Sequence, residues 1–214
     1  MQTRMIWITP DAENWIAYIA RVSNPNNQDN PEYSKLFKYL IAHKHWSPFE
    51  VASACFEIKT SRAIAAQILR HRSFSFQEFS QRYSDPTQLG FEPVEIRRQS
   101  EKNRQSSTEI FNPSFDFGYE QLTASELIDR AILYNKWVYN RLVEAGVAKE
   151  SARFILPITT STCMYMSGTI RSWIHYLQLR TQPDTQKEHR EIAESIKREL
   201  SLYIPTIANI LEWT

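Results

Sequence analysis

Arg70-His71-Arg72-Ser73-Phe74-Ser75-Phe76-Gln77-Glu78-Phe79-Ser80-Gln81-Arg82-Tyr83 is the most concentrated polar stretch of a 214-residue chain. Three arginines, a histidine, a carboxylate and three serines alternate with aromatic rings over fourteen positions. A guanidinium fork matches phosphate oxygens bidentately, and Phe or Tyr faces stack on planar rings, so the chemistry suits a nucleotide monophosphate or a flavin. A plainer reading is a solvated helix end with Glu78 paired to Arg82 at i, i+4. Only Gly90, Gly118, Gly146 and Gly168 occur, and no two lie within a turn of each other. That excludes a GxGxxG crossover and a P-loop, so side chains rather than a glycine cradle must hold any phosphate.

Upstream of this stretch, Thr60 or Ser61 can cap a helix through Ala63, Ile64, Ile68 and Leu69, which delivers Arg70, His71 and Arg72 at its C-terminal end. Residues 51–59 read as a strand. An alternating strand over Thr3–Thr9 leads into a short helix from Pro10-Asp11 to Ala20, and the turn-formers of residues 24–31 precede an amphipathic helix from Pro31 to Lys44. Downstream, residues 73–89 show no clean period, Val94 and Ile96 suggest another strand, and residues 99–118 read as a loop or insertion. Thr123-Ala124-Ser125-Glu126 is a capping-box pattern that opens a long helix closed by Gly146. A shorter helix ends near Pro157, and residues 161–180 and 186–203 read as two more helices. Helices dominate and no βαβ alternation appears, so the expected architecture is α+β: one mostly helical domain over residues 1–214 with a small mixed or antiparallel sheet.

Lys and Arg total 25 against 24 Asp and Glu, a net charge of 25 − 24 = +1, which provides no global field for nucleic acid or an anionic membrane. No stretch approaches the ~18 to 20 apolar residues of a spanning helix. Asp11 and Glu13 stand where a secretory peptide needs its apolar run, which sets the expectation of a soluble, cytoplasmic protein. Cys55 and Cys163 are far apart and read as buried free thiols. His43 and His45 at i, i+2 lack the further ligands of a metal centre, and none is expected. The surrounding Trp46-Ser47-Pro48-Phe49-Glu50 reads instead as a turn presenting an imidazole and a hydroxyl. Arg171 and His175 share a helix face, and Arg180, closing an apolar run, should meet a carboxylate or a bound anion.

Taken together these blocks resemble the flavin-dependent thymidylate synthases. Arg70-His71-Arg72 followed after seven residues by Ser80 matches that family's signature, with Ser75, Glu78, Arg82 and Tyr83 in place around it. Ala20-Arg21-Val22-Ser23, His45-x-Ser47-Pro48-Phe49-Glu50, Gln67, Ala152-Arg153 with Leu156-Pro157, and Arg171-Ser172 through Leu179-Arg180 follow in family order. The resemblance implies reductive methylation of dUMP to dTMP, with methylenetetrahydrofolate as carbon donor, NADPH as reductant and FAD as hydride carrier. It also implies a homotetramer with shared active sites. By resemblance, Ser23, His45, Ser47, Arg70, His71, Arg72, Gln77, Glu78, Thr169, Arg171 and His175 serve the flavin. Gln67, Arg70, Glu78, Phe79, Ser80, Gln81, Arg82, Arg153 and Arg180 map to dUMP.

Chemistry assigns the roles within that set. Arg180 is expected to be catalytic, because a guanidinium stabilises the anion that activates uracil C5. Arg82 and Arg153 suit the phosphate. Ser80 has no adjacent base and is expected to hold substrate, and neither cysteine lies in a motif fit for thiolate attack. Gln77, Gln81 and Thr169 depart from the family's usual asparagine, small residue and asparagine. Two other readings compete: a single-stranded nucleic-acid-binding module, disfavoured by the near-zero charge and the absence of an RRM, KH or OB pattern, and a flavin reductase without methyl transfer.

Overall fold

The computed structural model describes residues 1–213. In chain order the elements are β1 (Gln2–Ile8), α1 (Ala12–Ala20), α2 (Ser34–Ala42), β2 (Ser53–Ser61), α3 (Arg62–Ile68), β3 (Ser75–Glu78), β4 (Arg97–Gln99), β5 (Ser107–Ile110), β6 (Ser114–Asp116) and β7 (Gln121–Thr123). There follow α4 (Ala124–Glu144), α5 (Lys149–Ala152), β8 (Ser161–Thr169), α6 (Ile170–Arg180), α7 (Lys187–Ser201) and α8 (Pro205–Ile210). One sheet has the order β1-β2-β8-β3, and β4-β5 and β6-β7 form separate antiparallel pairs. The fold is α+β, as expected.

Contacts divide the trace into two compact units. The first comprises Met1–Ile58, Gln67–Gln77 and the chain from Met164 onward. Its core is dense: Ile16, Phe37, Phe49, Phe56, Met166, Trp173, Ile196 and Ile207 are fully buried. Trp173 anchors it, with its ring edge-on to Phe56 at 5.0 Å and its indole N–H donating to the Ala54 carbonyl at 3.1 Å. Glu13 is buried and accepts from the Ile207 amide at 2.7 Å. The second unit comprises Lys59–Ala66 and Glu78–Cys163. It buries few apolar side chains, chiefly Ile64, Ala65, Leu122, Tyr139 and Ala152, while Phe154 and Tyr83 stand more than four-fifths exposed.

Several local expectations hold. Thr123 Oγ1 accepts from the Glu126 amide and the Glu126 carboxylate accepts from the Thr123 amide, completing the capping box of α4. Gly146 takes φ +87 just past that helix, where a side chain would be strained. Ser61 Oγ accepts from the Ile64 amide at the start of α3.

Others are corrected. Residues 161–180 are not one helix: β8 runs to Thr169, whose hydroxyl caps α6 by accepting from the Ser172 amide at 3.2 Å. Thr162, Cys163, Tyr165 and Thr169 are β-branched, small or aromatic and pair well across a sheet. Within 73–89 a short strand, β3, forms, and the strand anticipated at Val94 and Ile96 begins at Arg97. The stretch read as a loop over 99–118 carries β5 and β6 of the two hairpins. The i, i+4 pair of Glu78 and Arg82 does not form, because residue 78 ends a strand, where side chains four apart do not meet as they do on a helix. Glu78 pairs with Arg62, and Arg82 with Glu150.

Gly168 in β8 faces the Phe74 ring so closely that a Cβ there would overlap Cδ1 and Cε1. Phe74 cannot withdraw, being wedged against Trp173 at 4.7 Å and Tyr176 at 5.9 Å. Gly168→Ala is expected to destabilise by about 1–3 kcal/mol. At roughly 2–4 °C per kcal/mol for a chain of this size, scanning calorimetry should register several degrees of lowered Tm.

Candidate active site

In the first unit, the chain leaves α3 in a tight turn, with the Arg70 amide donating to the Gln67 carbonyl and the His71 amide to Ile68. Arg70 and Arg72 are exposed, and neither guanidinium meets a carboxylate among the described residues. His71 is half-buried. Its Nε2 accepts from Arg180 Nε at 2.9 Å, and its ring lies edge-on to Tyr176 at 4.8 Å. Burial, reinforced by the Arg180 charge, lowers its pKa to about 4, so the imidazole is neutral at working pH. Arg180 thus rests on a neutral acceptor, and its positive charge is left uncompensated by this contact.

The 43–50 turn and α6 meet in the same unit. His175 packs edge-on to Trp46 at 4.8 Å, Arg171 pairs with Glu50, and burial followed by the Arg171 charge lowers the His175 pKa. His45 and Ser47 are exposed beside them, His45 lying 5.8 Å from the Tyr39 ring. Ser23 is exposed on the turn after α1, which Arg21 ties down by donating to the Asn30 and Glu32 carbonyls. Gln77 is exposed on β3. Exposed guanidiniums and imidazoles with nearby indole and phenol rings form a donor set that fits a flavin dinucleotide, whose diphosphate needs cations and whose ring needs flat apolar faces.

In the second unit, Glu78 accepts from Arg62 and, at 2.9 Å, from the Thr162 hydroxyl. The Phe79 amide donates to the Cys163 carbonyl at 2.9 Å, continuing the strand edge past β3. Ser80 is exposed, and no base contacts its hydroxyl among the described residues; Gln81 is half-buried. Arg82 sits 3.5 Å from Glu150 on α5 with both side chains largely exposed, a weak pair that a dianion can displace. Arg153 follows α5 directly and lies over the Phe154 ring at 5.8 Å, while Arg82, on the loop after β3, pairs with Glu150 of that helix.

Sequence reasoning missed Arg62 and Thr162, which hold Glu78, His189 and Gln186, which contact Gln67, and Tyr176, which backs His189. His189 stands in the charged run Lys187-Glu188-His189-Arg190-Glu191, which reads as a solvated helix face. Its spacing to Ile192, Ala193, Ile196 and Leu200 puts it on the buried stripe of α7 instead.

An α+β fold that leaves Arg70, Arg72 and Arg82 exposed around the 70–83 stretch carries the side chains that a phosphorylated ligand needs. The family described as Thymidylate synthase complementing protein matches residues 4–206. The chain is 50% identical over 203 residues to a probable flavin-dependent thymidylate synthase of Paramecium bursaria Chlorella virus 1, covering 94% of this chain and 91% of that one. It is 49% identical to a flavin-dependent thymidylate synthase of Synechocystis sp., covering 94% and 90%. In fold it resembles the crystal structure of a UMP/dUMP methylase, PolB, from Streptomyces cacaoi bound with 5-Br dUMP. The TM-score is 0.75 and the identity 24%, covering 99% of this chain and 94% of that one. The chain belongs to the flavin-dependent thymidylate synthase family.

Proposed function

We propose that this protein converts dUMP to dTMP by reductive methylation, with methylenetetrahydrofolate as carbon donor and NADPH as reductant. The observation that carries the reading is the Arg180–His71 contact, which joins the signature loop to the arginine that closes α6. FAD, when bound, supplies the hydride relay between NADPH and the transferred one-carbon unit. Arg70, Arg72 and Arg171 hold its diphosphate, while His45, Ser47 and His175 line its ring, with Ser23 and Gln77 at the margin. Thr169, whose hydroxyl is engaged in the α6 cap, shapes the junction beneath.

Toward dUMP, Arg82 and Arg153 clamp the phosphate, since an always-charged fork grips a dianion at any pH. Glu78, kept in place by Arg62 and Thr162, presents its second oxygen as an acceptor, and Phe79, Ser80 and Gln81 fix the nucleotide along the strand edge. Gln67 and Arg180 address the base. Uracil C5 is a poor nucleophile until the ring gains electron density, and Arg180 stabilises that density at the ring oxygens. Protomers assemble as a homotetramer and complete one another's sites, a reading supported by the sparse core and exposed aromatic side chains of the second unit. The enzyme works in the cytoplasm; no described helix is long and apolar enough to cross a membrane.

An anaerobic absorption spectrum before and after NADPH and dUMP tests the reading, together with product analysis from labelled folate. Expected are a yellow protein, bleaching with NADPH and labelled dTMP. Bleaching without labelled product would leave only a flavin reductase, and a colourless protein that FAD cannot reconstitute would refute both.

A further inference from the structure

Five side chains of the first unit form a hydrogen-bond chain with a single direction. Glu188 supplies its fixed end, because an ionised carboxylate only accepts. Gln186 Nε2 donates to Glu188 Oε2 at 2.9 Å, which turns Gln186 Oε1 toward Gln67, and Gln67 Nε2 donates to it at 2.6 Å. Gln67 Oε1 then accepts from His189 Nδ1 at 3.2 Å. That contact sets the tautomer, leaving His189 Nε2 to accept from the Tyr176 hydroxyl at 3.1 Å. Reversing any amide would put donor against donor or acceptor against acceptor.

The inner end is buried. His189 is 0% exposed and Tyr176 1%. Burial, with Arg180 and His71 nearby, lowers the His189 pKa to about 3, so the ring keeps one donor and one acceptor throughout the working range. Gln67 lies one turn ahead of His71, and the Tyr176 ring touches both His71 and His189, at 4.8 Å and 5.8 Å. The pinned amide and the Arg180 guanidinium therefore flank the same rings. After its two internal bonds the Gln67 amide retains one N–H and one carbonyl lone pair.

We propose that His189, with Gln186, is a positioning residue that locks the Gln67 amide in one orientation, so that its free N–H and carbonyl lone pair read the imide edge of uracil and reject cytosine. His189 can do this only if Gln67 faces the nucleotide, as proposed above. Uracil presents a carbonyl acceptor beside the N3–H donor; cytosine presents an amine donor beside the N3 acceptor, the reverse order. A freely rotating glutamine serves either base by flipping. A locked one pairs with uracil and sets like against like with cytosine, the kind of mismatch that discriminates strongly in a desolvated site.

The test is equilibrium binding of dUMP and of dCMP to the flavin-loaded protein by calorimetry. Gln186→Met cuts the chain at its exposed end without threatening the fold, and His189→Leu cuts it inside. In both, the preference for dUMP over dCMP should fall by about tenfold or more while bound flavin per protomer stays constant. His189→Asn, which keeps a donor near the Nδ1 position, should recover most of that preference, a rescue that mere cavity filling by leucine does not predict. Should His189→Leu fail to fold, Gln186→Met decides alone. A preference unchanged within about twofold in Gln186→Met overturns the proposal even if the parent protein binds dUMP normally. A parent protein that binds no dUMP overturns the nucleotide assignment itself and this proposal with it.

Discussion

Arg180→Lys should cut turnover by about 10² to 10³ while flavin content and flavin affinity stay close to those of the parent, because a preorganised donor removed from developing charge costs roughly 3–4 kcal/mol. The reason lies in what Arg180 rests on. Its Nε donates to the lone pair of His71 Nε2 at 2.9 Å, and no carboxylate meets its other nitrogens among the described residues. A carboxylate partner would have neutralised much of the field; a neutral imidazole orients the fork and leaves the charge intact for a ligand. Lysine retains the charge but neither the Nε–His71 bond nor the planar pair of terminal nitrogens, so its ammonium is not aimed. Steady-state kinetics with dUMP as the varied substrate, alongside flavin titration, reads the two effects separately. Parallel losses in turnover and flavin affinity would transfer Arg180 to the flavin.

What could be read in advance followed from how local each signal is. The capping box at Thr123 and Glu126 and the glycine past α4 involve neighbours within one turn, and both form as read. The 161–180 run misled because Met164, Met166, Trp173 and Leu177 are buried on either secondary structure, and apolar runs buried on both faces carry no period. Thr169 with Ser172 three residues on was the available sign of a helix start. β5 is exposed at all four residues, so no inside-outside alternation marks it, and its pairing with β4 arises from the hairpin rather than from burial.

The site divides along the same line. Residue types within the signature are visible as a string, but the partners that orient them come from far along the chain: Thr162 reaches Glu78 across 84 positions, and His189 reaches Gln67 across 122. Nothing in the local pattern announces such pairings. Arg62 alone was close enough in sequence to suspect, sixteen residues from Glu78 at the head of α3.

Acid should destabilise this protein through its histidines before carboxylate protonation dominates. His71 and His189 titrate at about 4 and about 3 in the folded protein, both because burial disfavours the cation and Arg180 stands beside them, against an ordinary 6.5. Between pH 6.5 and about 4 the unfolded chain therefore binds up to two more protons than the native one at these two sites, His175 adds to the difference in the same direction, and stability falls as pH falls; below about 4 His189 is the one of the pair that still contributes. Each unmatched proton is worth about 1.4 kcal/mol per pH unit, so the pair removes several kcal/mol, comparable with the roughly 5–15 kcal/mol total of a folded domain. Glu13 opposes this. Its pKa is raised by burial, so stability lost to its charged form is regained as it protonates, but it is one group against three histidines. Urea titrations across that pH range should show the midpoint dropping steadily at constant m, and His71→Gln, at a half-buried position, should roughly halve the slope between pH 6.5 and about 4. A midpoint that is flat or rises on acidification would mean that the two imidazoles take up protons in the native state as readily as in the unfolded one, and the neutral His71 on which Arg180 rests would have to be given up.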